Sequence, residues 1–186
     1  MAPPPVETGR ARVVRLRRPI TGGGVVVLGI DPGLNATGYG LLEVTTTQMR
    51  MIAAGQIRPP RGAPLTNRLA CLHQELSQLI ARHRPAIMVL ETVFMHHRYP
   101  ATAARMGHAR GVTCLAAQEH GVSLVEHSPA RVKKAVTGNG NASKAQVARM
   151  VSQWLGRDLP ALSFDATDAL ALAIAHVHMS SRGAQG

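Results

Sequence analysis

Aromatic side chains are scarce: Tyr39, Phe94, Tyr99, Trp154 and Phe164 are the five in 186 residues, so a core has to be built from Val, Leu, Ile and Ala. Cysteine is scarcer. Cys71 and Cys114 alone cannot make a disulfide framework or a closed zinc site. No apolar run reaches the roughly 18 residues that a membrane span needs. The stretch after the first arginines is broken by Thr21 and three glycines, which argues against a secretory signal. A cytoplasmic protein with no membrane contact is expected. Acid is the last shortage: 10 Asp and Glu stand against 21 Lys and Arg, a net charge of +11.

What is present fits one domain, with 45% hydrophobic residues to fill it. Eighteen of the 21 basic side chains are arginine, whose planar fork matches phosphate. So basic a small chain points to a polyanionic partner, nucleic acid first. Residues 1–24 read as a disordered basic arm, and residues 181–186 as a flexible tail, leaving 25–180 as the folded unit.

Within that unit, VVVLGID (25–31) is a β-branched run stopped by Pro32-Gly33, and 37–46 and 49–57 continue an antiparallel meander. Leucines at helical spacing mark a helix from Leu65 to His83. AIMVLE (86–91) and VSLVEH (122–127) are strands, with a helix over 101–119 between them. A short helix opens at Ser128-Pro129. Ser143 and Gln146 form a capping box for a helix ending at Gly156, and a last helix covers 164–179. The predicted fold is α/β: a mixed five-stranded sheet, three antiparallel strands then two parallel, flanked by helices on both faces.

The few acids sit in informative places. Asp31 ends the first strand and Glu91 the fourth; Asp165 and Asp168, three apart, share one face of the last helix. Each of the aspartates has an ordinary explanation as a turn former or a helix N-terminal charge. Glu91 has none, since a carboxylate at a sheet rim costs desolvation unless paired or metal-bound. Four carboxylates brought together repel one another unless divalent cations neutralise them, and hard Mg²⁺ takes oxygen ligands. Two such cations suit phosphodiester hydrolysis. Mg²⁺, two per site with Mn²⁺ as a substitute, is the expected cofactor. GNGNASK (138–144) lacks the glycine that a Walker A loop carries before its lysine, and no G-x-S-x-G elbow occurs.

GIDPGLNATGYG (29–40), VLETVFM (89–95), GHARGV (107–112) and DATDALALAIAHVH (165–178) closely resemble the RuvC family of crossover junction endodeoxyribonucleases. These are Holliday-junction resolvases of the ribonuclease H-like fold. The resemblance runs from about Val25 to Ser180. It implies that Asp31, Glu91, Asp165 and Asp168 are the catalytic, metal-binding tetrad, and that Phe94 inserts at the centre of a four-way DNA junction. Lys133 and Lys144 are implied as DNA backbone contacts, with Arg98, Arg131 and Lys134 as neighbouring candidates. A homodimer contact is implied on the second helix, where Ala103, Gly107 and Gly111 make a small-residue stripe; packing of that stripe within its own chain is the alternative. Work alongside the RuvAB branch-migration complex, in recombination and repair, is implied as well. The arm before Val25 and the HHRYP after VFM depart from the family pattern. Three rivals share some features: a ribonuclease H-like enzyme cutting RNA–DNA hybrids, an actin-like ATPase, which needs two such domains, and a non-catalytic junction-binding module.

Overall fold

The computed structural model describes residues 14–15, 24–92, 100–156 and 162–183. Its centre is β2 (Val25–Asp31), β-branched and buried on both faces along most of its length. β2 pairs antiparallel with β3 (Thr37–Val44), which pairs antiparallel with β4 (Met49–Ile57). On its other side β2 pairs parallel with β5 (Ile87–Glu91), and β5 with β6 (Ser123–His127). These five strands are the expected mixed sheet.

One addition was not expected. Val14–Arg15, inside the arm predicted to be disordered, forms a two-residue β1 that pairs antiparallel with Ala53–Ala54 of β4, so the full order is β1-β4-β3-β2-β5-β6. β4 is otherwise an edge with unpaired backbone groups, and the backbone of Val14 and Arg15 can satisfy some of them. The sequence hides this because two residues are too few for a periodicity.

Helices cover both faces. α1 (Leu65–His83) and α2 (Pro100–Glu119) lie over one, where Leu28, Ile30, Met88 and Leu90 meet Leu72, Leu76, Ala109 and Ala116. α3 (Pro129–Thr137), α4 (Lys144–Leu155) and α5 (Phe164–Gly183) lie over the other, where Val27, Leu42 and Val89 meet Val132, Val147, Leu170 and Ile174. Strand alternation sorts these residues. It also puts Asp31 and Glu91, two residues beyond Gly29 and Val89, on the α5 face.

α5 approaches the sheet closely because glycine makes room for it. A Cβ on Gly38 would lie 2.0 Å from the Asp165 carbonyl oxygen, and one on Gly29 would lie 1.9 Å from that of Ala169. Ala166, Ala169 and Ala173 supply a matching small face on the helix, all buried.

Candidate active site

Strand register assembles a row across the sheet. Gln56 on β4 is opposite Gly38 on β3, Gly38 is opposite Asp31 on β2, and Glu91 on β5 is opposite His127 on β6. Ile30 pairs with Leu90, so Asp31 and Glu91 end adjacent parallel strands side by side. The turn behind Asp31 is fixed by buried Thr37, whose Oγ1 donates to the Gly33 carbonyl at 2.8 Å and accepts from the Gly33 N–H at 3.1 Å. Behind Glu91, Arg110 of α2 donates to its backbone carbonyl at 2.7 Å and also pairs with Glu126. α5, seated on the glycines, carries Asp165 and Asp168 toward this row.

Asp31, Glu91 and Asp168 line one cavity of about 280 Å³, together with Lys133, Lys144 and Met106. Asp165 is not part of that lining; its Oδ2 accepts a hydrogen bond from Gln56 Nε2. The four acids nevertheless feel one another. Burial, then the charges of Asp168, Asp165 and Glu91, push the Asp31 carboxyl up to about 7 from 3.8. Burial and Asp168 also raise Glu91, while Lys144 and Lys133 pull it back. Lys144 Nζ donates to Asp168 Oδ2 at 3.1 Å, and this bond, with the Asp31 and Glu91 charges, holds the ammonium above its ordinary value.

The other predicted residues divide. Lys133 and Lys144, implied by the resemblance as DNA backbone contacts, both line the acidic cavity. Arg131 is exposed on α3, near enough to His127 to help lower that imidazole, below burial and His176 among the causes. Lys134 faces elsewhere, into a cavity of about 690 Å³ beside Trp154 and His178. Gly107 and Gly111 lie on the open face of α2, where a Cβ would meet nothing within 4 Å, and Ala103 is half-buried. The stripe is therefore not packed on its own sheet; α2 uses Ala109, Ala116 and Ala117 for that. Phe94 and Arg98 fall outside the described residues. His176 makes a 3.2 Å contact between its Nδ1 and His127 Nε2, with stacked rings. Two residues that touch the acids were not anticipated, Gln56 and Arg110. Gln56 carried no sequence signal, and Arg110 was visible only as part of GHARGV.

Among the described residues no three His, Cys, Asp or Glu side chains close into a ready metal shell. The donor set nonetheless fits a hard divalent cation. It is all carboxylate oxygen, it is desolvated enough to raise Asp31 to about 7, and a lysine already partners one member. Asp31, Glu91, Asp165 and Asp168 are the residues that would hold such ions.

A sequence profile decides the affiliation. The profile of the family described as crossover junction endodeoxyribonuclease RuvC matches residues 27–176. The chain belongs to the RuvC family. Among curated RuvC proteins it is 41% identical to that of Azorhizobium caulinodans over 159 residues, covering 86% of this chain and 93% of that protein. It is 44% identical to that of Halorhodospira halophila over 156 residues, covering 83% and 91%. Among solved structures it resembles Thermus thermophilus RuvC in complex with Holliday junction substrate, with TM-score 0.79 and 31% identity over 86% of this chain and 96% of that one. The yeast mitochondrial Holliday junction resolvase Ydc2 shares the fold, with TM-score 0.60 at 12% identity. In RuvC terms the sheet is the ribonuclease H-like sheet, with the family's helices on both faces.

Proposed function

We propose that this chain is a structure-selective endonuclease that resolves four-way DNA junctions by paired symmetric nicks. The reading rests on one observation above the rest: Asp31 and Glu91 end neighbouring parallel strands, and α5 lowers Asp165 and Asp168 onto the same face. RuvC membership supplies the substrate class, since the relatives are named crossover junction endodeoxyribonucleases and a structural neighbour was solved with Holliday junction substrate.

Asp31, Glu91, Asp165 and Asp168 would hold two Mg²⁺ ions, which when bound would supply an activated water and a positive charge that stabilises the leaving oxygen. The chain's own groups do the rest. Asp31 and Glu91, fixed by the sheet, define the centre's floor, and α5 sets the spacing of the other pair. Lys144 and Lys133 bring positive charge to the cavity, where a phosphodiester has to approach carboxylates. The amides at the first turn of the capped helix α4 add to that attraction. Beyond the cavity the net charge of +11 draws the polyanion in and makes binding salt-sensitive.

Paired nicking calls for two centres related by a two-fold axis, hence a homodimer. The open positions Gly107 and Gly111, with half-buried Ala103 one turn before them, are the candidate contact. Phe94 is assigned to the unstacking of bases at the junction centre, which costs a few kcal/mol that binding offsets. Arg98, Arg131 and the basic arm are assigned to DNA contact, and Lys134, which faces the separate Trp154 cavity, to a more distant contribution. The protein works in the cytoplasm alongside the RuvAB branch-migration complex.

Purified protein with Mg²⁺ should cut a four-way junction in preference to a linear duplex or an RNA–DNA hybrid of the same sequence. Preferential cutting of the hybrid would replace this reading with the ribonuclease H-like alternative. Binding of the junction without cutting by any divalent cation would make it a binding module.

A further inference from the structure

The row of residues that builds the acidic centre does not stop at Gly38. Its β4 member, Gln56, is half-buried, and its amide has two different ends committed to two different partners. Nε2 donates to Asp165 Oδ2. Oε1 accepts from Arg58 Nε at 2.9 Å and from Arg58 Nη2. A carboxylate accepts only and a guanidinium donates only, so these neighbours admit one orientation of the amide.

Asp165 lies in the first turn of α5, with Ser163 just before it, and the torsion that sets the plane of its carboxylate is intrinsically broad. Bonding one oxygen to Gln56 fixes that plane and leaves the other oxygen to face a cation. The structure assigns Gln56 as a positioning residue: it orients Asp165 for the divalent cation, and Arg58 locks Gln56 as the donor. The inference rests on the reading that the four acids hold metal. A partner of this kind, bonded to a ligand and not to the ion, typically changes metal affinity or activity by about 10- to 100-fold when removed.

The test is calorimetric titration of the metal-free, full-length chain with MnCl₂ in the absence of DNA, on wild type, Gln56→Met, Arg58→Met and Asp165→Asn. Gln56→Met keeps the length of the side chain and removes both hydrogen-bonding ends. It should weaken Mn²⁺ binding about 10-fold. Junction cleavage should show a lower kcat with KM for the junction unchanged, because Asp165 is misoriented while the DNA surface is intact. Arg58→Met, which frees the amide to turn over, should weaken Mn²⁺ binding in the same direction by less. Wild-type Mn²⁺ binding in Gln56→Met, with Asp165→Asn clearly weakened, overturns the assignment. If Asp165→Asn also binds Mn²⁺ as wild type does, the metal reading of this carboxylate fails, and the inference fails with it. If melting shows that Gln56→Met is not folded, Arg58→Met decides, and unchanged Mn²⁺ binding there overturns the lock.

Discussion

A carboxyl held near pH 7 by burial and by three other acids is a strained arrangement, and Asp31 carries most of it. Between its ordinary value of 3.8 and about 7 the folded chain holds a proton on Asp31 that the unfolded chain has released. The folded state binds more protons across that window, so the metal-free protein should lose stability as pH rises through it. Asp31→Asn removes the titration. In chelator at pH 7.5 the variant should melt at a higher temperature than wild type by scanning calorimetry, with a flatter dependence on pH, and in a separate assay with Mg²⁺ it should cleave no junction. A lower melting temperature would mean that Asp31 is a structural hydrogen-bonding residue. At this scale the sequence was readable where chemistry and position conflict. An acid that ends an apolar strand and serves no turn has no cheap structural explanation, which exposed Glu91; Asp31, before Pro32, passes alone as a turn former and is legible only in company with the other acids. An amide near the end of a strand, as Gln56 is, conflicts with nothing and so gives no signal.

The elements bring these side chains together through two pieces of local chemistry. The first is the capping box of α4, in which Gln146 N–H donates to Ser143 Oγ at 3.2 Å and Ser143 N–H donates to Gln146 Oε1 at 2.8 Å. It fixes the helix start and with it Lys144, the first helical residue. S-x-x-Q was legible because both partners lie within one turn. The second is the bed of glycines under α5. Replacing Gly38 by Ala would place a methyl 2.0 Å from the Asp165 carbonyl oxygen, so helix and sheet must separate. A displacement of about 1 Å at a catalytic group costs on the order of 100-fold in rate. Gly38→Ala should therefore lose about two orders of magnitude in junction cleavage while retaining junction binding, as measured by single-turnover kinetics and a binding titration. This contact spans more than 100 residues of sequence. GYG shows glycine at Gly38 and Gly40 but cannot say which helix needs the room.

Over the whole molecule, charge and symmetry govern the encounter with DNA. Junction affinity should fall with salt at a log–log slope near −0.9 for each phosphate neutralised. Lys133→Ala should flatten that slope by about one unit if the lysine makes one phosphate contact. Lys134→Ala, whose side chain faces the separate Trp154 cavity, should change it less. On α2, Gly107 and Gly111 have open space where side chains would be, although the helix interior is a costly place for glycine, at roughly 0.5–1 kcal/mol relative to Ala. Gly107→Leu should block close approach of a second helix and give a monomer in sedimentation at micromolar concentration. That monomer should nick junctions singly. The stripe was visible from spacing alone. Which way it faces was not, since its alternative, packing on its own sheet, needs the same small residues.

The central claim is that one carboxylate centre, built by the sheet row and α5, cuts the junction strands. Mapping nicks on a four-way junction at nucleotide resolution in Mg²⁺, with wild type and Asp168→Asn side by side, tests it most directly. Wild type should place two nicks at symmetric positions on opposite strands, and Asp168→Asn should bind the junction as tightly but leave it uncut. Symmetric nicking by Asp168→Asn at the wild-type rate would contradict the account.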